Sequence, residues 1–274
     1  MRTRIIFSLK NRGAALPFFH QHLFAEVIEH IFSDKKFDYH FSGLKGQTRI
    51  SRKGLHYCSR YVTLVFACNS VTAVDRLLDV IFSRPRWKIG ALELEPVRAE
   101  REQLPRFQEQ MRYVCIAPLV PVRRHHEVGM LRAFLEPDQD VFSDYLYETT
   151  ILRMEQSGRY SSEELASYYR FQVVPDKSYL DKMRSRDKKF ARLYAIHAAG
   201  RAYEVRGYTF PLVLHADARV QEFVFLAGLG DFAEQGFGML DLAHRDPSER
   251  TELYRSATNQ GRESDQRLMP SSSS

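Results

Sequence analysis

Gly228-Leu229-Gly230-Asp231-Phe232-Ala233-Glu234-Gln235-Gly236-Phe237-Gly238 sets two Gly-apolar-Gly units around a five-residue interval. An apolar run, Met239-Leu240-Asp241-Leu242, follows at once. Before it, the stretch Ala218 to Ala227 places Val220, Phe223, Val224 and Ala227 on one helical face. The glycines therefore form a loop between a helix and a strand. Glycine permits positive φ and close backbone approach. Such a loop either turns its amide N–H groups toward phosphates or makes a tight connection with no ligand. The interval contains Asp231 and Glu234 and no cation. Those carboxylates repel phosphate, which favours a packing role.

Outward from that loop the chain reads as two similar halves. Residues 2–9 alternate like a strand, and 17–32 form a helix with Phe24, Val27, Ile28 and Ile31 on one face. Tyr39 to Leu44 suits a short strand, and Tyr61 to Phe66 is rich in β-branched and aromatic residues. Ser70 can cap a helix whose face is Val74, Leu77, Leu78 and Ile81. The segment 91–97 alternates as a closing strand. The order β-α-β-β-α-β is ferredoxin-like. The polar stretch Arg98 to Arg112, with Pro105 inside it, marks a boundary.

A second unit follows. Its elements are a strand at 113–122 and a helix from Asp140 to about Ser157 with Phe142, Tyr145, Leu146 and Leu152 inward. Strands near 171–175, 192–199 and 203–215 come next, then the 218–227 helix, the loop and a last strand. The expected class is α+β: tandem ferredoxin-like (RRM-like) units with a C-terminal glycine-rich loop. The expected domains are residues 1–105 and 106–244, with 245–274 a polar tail that frays.

The chain has 274 residues, 44% of them hydrophobic, and a formal net charge of +6. That charge suits a polyanionic partner. Cys58, Cys68 and Cys115 form no CxxC, and their odd number fits a reducing cytoplasm rather than a disulfide framework. No apolar run approaches the roughly 18 residues of a membrane span, and the N-terminus lacks the apolar core of a signal peptide. His125-His126-Glu127 reads as a surface loop rather than a metal site, because adjacent histidines point different ways. Neither a metal nor a cofactor is expected.

The double Gly-apolar-Gly pattern, in this order of elements, resembles the C-terminal loop of the CRISPR-associated repeat-processing endoribonucleases, the Cas six family. Further motifs carry the likeness: the strand Arg2 to Leu9 with Leu16-Pro17 before a helix, Ala117-Pro118 within Cys115 to Val120, which is similar to the strand that opens the family's second domain, and Phe134-Leu135-Glu136-Pro137-Asp138 before another helix. Arg206-Gly207-Tyr208-Thr209-Phe210 stands before the penultimate strand. The resemblance covers roughly residues 1 to 243. It departs from the family at the loop, since a Lys or Arg often stands between the glycine pairs and none does in this chain.

The resemblance implies binding to CRISPR repeat RNA, both precursor and mature guide. It also implies cleavage without metal, in which a 2′-hydroxyl attacks the adjacent phosphate and leaves a 2′,3′-cyclic phosphate and a 5′-hydroxyl. Such chemistry wants a base, an acid and a cation. In family order and spacing the candidates are His30 and Lys36, with His40 as rival. A family-type tyrosine is replaced by Glu29, with Tyr39 nearest. His20 falls on the apolar side of its helix and reads as a buried, hydrogen-bonded histidine.

The basic segment 177–192 carries Lys182, Arg184, Arg186, Lys188, Lys189 and Arg192 among Tyr179, Phe190 and Tyr194. Cations neutralise phosphates and aromatic rings stack on unpaired bases. With Asp181 and Asp187 mixed in, the alternative is a solvated charged face. Gly228, Gly230, Gly236 and Gly238 are the further RNA-contact candidates. Two other functions stay open. One is a non-catalytic repeat-RNA-binding subunit, whose partners would include effector-complex subunits. The other is a ferredoxin-like domain that binds a protein or a small anion.

Overall fold

The computed structural model describes residues 1–33, 37–124, 132–186, 188–198 and 201–254. In the first unit, strand Arg2–Leu9 pairs antiparallel with Tyr61–Cys68 on one side and Leu92–Glu102 on the other. Tyr39–Phe41 adds to the far edge of Tyr61–Cys68. Helices α1 (Gln21–Ile31) and α2 (Val71–Ser83) cover one face. Ser70 caps α2 by accepting from the Ala73 amide at 3.3 Å. Ile5, Phe7 and Leu9 point into the core with Phe24, Ile28, Val74 and Leu77. The alternate positions Arg2, Arg4 and Ile6 therefore face the other way, as a two-residue period requires.

The second unit repeats the plan. Gln110–Cys115 lies between Pro211–Ala216 and Leu240–Leu242, with Phe171–Pro175 at the edge. Its helices are α3 (Asp140–Gln156) and, after the short α4 (Ser162–Ser167) and α5 (Lys177–Ser185), α6 (Ala218–Ala227). Both sheets place the strands of a β-α-β-β-α-β unit in the spatial order 4-1-3-2. The chain is thus a tandem of ferredoxin-like units.

Several elements differ from the sequence expectation. The span 203–215 is two strands, Arg201–Tyr208 and Pro211–Ala216. The first leaves the sheet and pairs with Ala191–Ala198 as a separate hairpin. Part of the basic 177–192 segment is helical, because the Asp176 side chain accepts from the Tyr179 amide at 2.9 Å and caps α5. Leu152 is 51% exposed, while Thr150 and Met154 turn inward with Phe142 and Leu146. The inward stripe of α3 follows a four-residue step that Leu152 does not share. Nor does the expected fraying tail begin at 245. Residues 247–250 form a 3-10 turn, and Thr251–Leu253 pairs with Glu100–Glu102. Tyr254 donates its hydroxyl to Asp75 on α2 at 2.8 Å.

The outward face of the first sheet meets the second unit at a buried ionic seam. Arg2, 0% exposed, pairs with Glu102 at 3.0 Å and donates to the carbonyls of Leu240 at 2.8 Å and Phe225 at 3.3 Å. Its guanidinium also lies 4.1 Å from the Phe225 ring centre. Arg4 reaches Glu102 at 2.7 Å, and Asp241 receives Arg2 and Arg4 at 3.7 Å and Arg250 in a short contact. Beside this cluster Val65 and Ala67 pack on Ala117 and Met239. Burial lowers the Arg2 pKa, and the two carboxylates oppose that shift.

Removing one partner of a buried ion pair strands the other charge, which costs about 3–5 kcal/mol. Glu102→Gln should therefore lower unfolding free energy by roughly that amount in a urea titration. The exposed Lys10–Glu95 pair supplies the contrast. Glu95→Gln should leave the unfolding free energy nearly unchanged, because solvent screens an exposed pair. Equal effects of the two substitutions would show that the seam is not a structural keystone.

Candidate nucleic-acid interface

The glycine loop is a clasp that spends its own amides. The N–H groups of Gly228, Leu229, Asp231, Gln235, Gly236, Phe237 and Gly238 all donate to protein carbonyls. Its carbonyls are engaged too, since Arg153 of α3 donates to Gly228 at 3.0 Å, Gly230 at 3.2 Å and Ala227. Asp231 accepts from the Val122 amide at 2.9 Å and the Tyr145 hydroxyl at 2.8 Å. The amides of Gly228, Gly236 and Gly238, named as RNA-contact candidates, are therefore turned inward. Gly238 has φ +75, and a Cβ there would sit 2.1 Å from the Leu229 oxygen. At Gly236, φ +86, a Cβ would strike the Phe41 ring at 2.6 Å. Gly236 serves close approach of the loop to the first unit and Gly238 close approach within the loop, and the inward amides favour the packing reading.

His40 belongs to the same clasp. It is 1% exposed, and Nε2 donates to the Phe237 carbonyl at 2.8 Å. The ring lies so close to Gly228 that a Cβ would come within 2.4 Å of it. Burial and then Arg153 push its pKa down to about 3, against the raising effect of the Phe237 carbonyl. An enclosed neutral imidazole cannot exchange protons with a surface substrate. His40 is thereby corrected from catalytic rival to structural residue. Periodicity could place it on a strand, but only the partner loop shows that it is covered.

His30 is exposed in the last turn of α1. Lys36 lies outside the described residues, as do His125 and His126. Near this end the carboxylates of Glu29 and Glu234 raise the Tyr39 pKa, after the larger effect of burial, to about 12. Asp38 and Glu234 also act on Arg153. The surroundings of His30 are thus richer in carboxylates than the sequence suggested, because the loop brings its 233–235 turn against α1.

The basic face lies on the second unit. Lys182, Arg186, Lys188 and Lys189 are exposed. Arg184 pairs with Asp138 at 2.8 Å and stands 5.6 Å from the Phe190 ring centre. Arg192 crosses to the first unit and lies 4.1 Å over the Phe18 ring, just before α1. Sequence reasoning missed a second basic element. The hairpin of Thr48–Ser51 and Gly54–Tyr57 exposes Arg49, Arg52 and Lys53. The turn signal Arg52-Lys53-Gly54 between short alternating runs could have revealed it. Among the described residues no group of three His, Cys, Asp or Glu side chains could hold a metal ion, and no helix is long and apolar enough to cross a membrane.

Two ferredoxin-like units clasped by a glycine loop, with cations and aromatic rings on one flank, define a class of tandem ferredoxin-like proteins. Solved structures share this fold. The product of a Cas6-related gene from Pyrococcus furiosus aligns with TM-score 0.71 and 16% identity, over 90% of this chain and 99% of that one. "An RAMP protein binding different RNA substrates" aligns with TM-score 0.69 and 16% identity, over 89% and 100%. A CRISPR associated protein Cas6 gives TM-score 0.68 and 15% identity, over 89% and 99%. At such identities the likeness fixes the fold alone. No curated protein matches the chain in sequence. Residues 99–242, however, match the family described as CRISPR associated protein Cas6, C-terminal. The chain belongs to the Cas6 family.

Two outcomes follow from this geometry. Gly238→Val should abolish the folded protein, because both φ and the Leu229 oxygen exclude a side chain; soluble yield and a melting curve check this. The second outcome concerns acid. His20 and His40 have folded pKa values of about 4 and about 3, below the ordinary 6.5. Protons therefore bind the unfolded chain more readily. The stability these neutral imidazoles contribute is complete above pH 6.5 and is lost as pH falls toward their folded values. At pH 5 the loss should be about 2 kcal/mol for each histidine. Urea titrations at pH 7.5 and pH 5 measure it, and His40→Asn should remove about half of the difference.

Proposed function

We propose that the protein binds CRISPR repeat RNA along its basic flank and cleaves the precursor transcript without metal. The supporting observation is the run of exposed cations around α5, interleaved with Phe190 and continued across the seam by Arg192 over Phe18, on a Cas6-family chain. Cations take the phosphates, and rings stack on unpaired bases. In this reading the two ferredoxin-like domains, residues 1–105 and 106–244, act as one RNA-holding body.

Cleavage is assigned to the C-terminal end of α1. His30 moves the proton of the attacking 2′-hydroxyl or of the leaving 5′-oxygen, and Lys36 balances charge on the phosphorane. The products are a 2′,3′-cyclic phosphate and a 5′-hydroxyl. Histidine is the group whose ordinary pKa allows both roles near neutral pH.

One specific observation favours a second reading, a non-catalytic repeat-RNA-binding subunit of an effector complex. Glu29, Asp38 and Glu234 stand exposed near the end of α1, and Arg153 is committed to loop carbonyls. Such carboxylates repel a scissile phosphate.

The decisive assay incubates the protein with repeat RNA in excess EDTA. Cleavage is expected, and a 2′-deoxy substitution 5′ to the scissile phosphate should block it. His30→Ala should slow cutting by about 10²–10⁴ while leaving affinity near wild type. Binding without scission by the wild type would establish the non-catalytic reading. Neutralising Lys182, Lys188 and Lys189 together should weaken binding and flatten its dependence on salt. Unchanged affinity and slope would mean that this cluster is a solvated face.

A further inference from the structure

The first unit carries an insert outside its main sheet. Ala15–Leu16, Thr48–Ser51 and Gly54–Tyr57 form a small three-stranded sheet. Thr48 and Leu55 line one cavity with Phe18 and Arg192, so the insert sits between the start of α1 and the hairpin of the second unit. The turn at its tip exposes Arg52 and Lys53, and Ile50 beside them is 67% exposed. His56 holds the tip to the body. Its Nδ1 donates to the Gly13 carbonyl at 2.9 Å, and its Nε2 accepts from the Ser51 hydroxyl at 2.7 Å.

Two features set this surface apart from the α5 cluster. The first is the sign of its charge. The sequence has no Asp or Glu before Glu26 and none between Asp38 and Asp75. The insert therefore contains no carboxylate, and no salt bridge joins Arg52 or Lys53 to a described residue. Around α5, by contrast, Asp176 and Asp181 lie among the cations, and Arg184 is paired with Asp138. Soluble surfaces ordinarily intersperse both signs. A surface that keeps to the positive sign attracts a polyanion.

The second feature is an exposed ring held in one orientation. Phe19, 43% exposed, stacks with His22 at 6.1 Å between ring centres and 24° between planes. His22 Nδ1 donates to the Phe19 carbonyl at 2.6 Å, which pins the pair at the entrance to α1. An aromatic ring fixed at the surface beside cations suits an unpaired base, whose face is free to stack. Glu26 and Glu29 continue along the exposed face of α1. A phosphate chain leaving Phe19 therefore runs toward the insert and Arg192 rather than along the helix.

We propose that the insert and the Phe19–His22 pair form a second RNA subsite, which holds an unpaired stretch of the bound RNA. A base stacks on Phe19, Arg52 and Lys53 take phosphates at the tip, and Arg192 takes one on the seam side. This inference rests on the RNA-binding reading of the previous section and adds to the α5 cluster a place for single strand. Helix α1, 11 residues or about 16 Å long, separates the subsite from His30. Its contribution is to affinity and not to the cut.

The test measures fluorescence anisotropy of two 5′-labelled RNA hexamers of equal charge with the full chain. One hexamer has six adenosines, and the other has every base replaced by hydrogen. Wild type should prefer the adenosine hexamer by about tenfold. Phe19→Leu keeps apolar bulk and removes the ring. It should weaken the adenosine hexamer about tenfold, leave the base-less one unchanged and keep the salt slope, because phosphate contacts set the slope. Arg52→Gln together with Lys53→Gln should weaken both hexamers and lower the slope by about 1.4, the share of two single-strand phosphates. These side chains are exposed, so the melting temperature of each variant should match wild type.

A wild type indifferent to the bases overturns the proposal, as does a Phe19→Leu protein that keeps the preference. So does a double variant with wild-type affinity and slope. If neutralising Lys182, Lys188 and Lys189 still weakens binding in those cases, the RNA reading stands on α5 alone. Binding of repeat RNA but of neither hexamer likewise sinks the subsite and spares that reading. Binding of neither hexamer nor repeat RNA at low salt removes both.

Discussion

Everything in this molecule is arranged around the burial of Arg2. A guanidinium at 0% exposure costs several kcal/mol in lost hydration. The structure offsets that cost with Glu102 from the same sheet, Asp241 and two carbonyls from the second unit, and the Phe225 ring. Because the partners come from both units, the charge is satisfied only when the units meet in one orientation. The C-terminal return adds Arg250 to the same carboxylates. Such a cluster selects geometry more than it adds stability, since well-packed apolar residues could contribute as much.

The glycine loop follows from the same constraint. Once the units are fixed, the loop after α6 must pass against the Tyr39–Phe41 strand with no room for side chains at 228 and 236. Arg153 holds the carbonyls at its start, and His40 fills the space beside Gly228. Amides that could have faced an anion are used to keep this path. The consequence is chemical. The loop has few free donors and its acidic interval sits near α1, whereas the exposed cations lie on α5 and the hairpin of Thr48–Ser51 and Gly54–Tyr57.

Those surfaces are shared between the units. Arg192 lies on a hairpin inserted in the second unit, yet its guanidinium packs over Phe18 of the first. His20, Gln21 and Lys45 lie on the same seam.

The sequence by itself determined most of the ferredoxin-like elements and their order. Apolar periods of two and 3.6 residues marked the strands beside α1, α2 and α6, and the paired glycines marked the last helix-to-strand passage. The charged segment around α5 was also legible, because runs of Lys and Arg need no partner to be seen. What the tertiary structure decided was which polar groups remain available. His30 and His40 look alike in sequence, both beside the first helix, but one is exposed and the other is covered by a loop nearly 200 positions away. The folded return at 247–254 was hidden for the same reason, since its partners Glu100–Glu102 and Asp75 are remote in sequence. Periodicity reports the local chain, whereas burial, pKa and hydrogen-bond satisfaction depend on contacts that only the closed tandem creates.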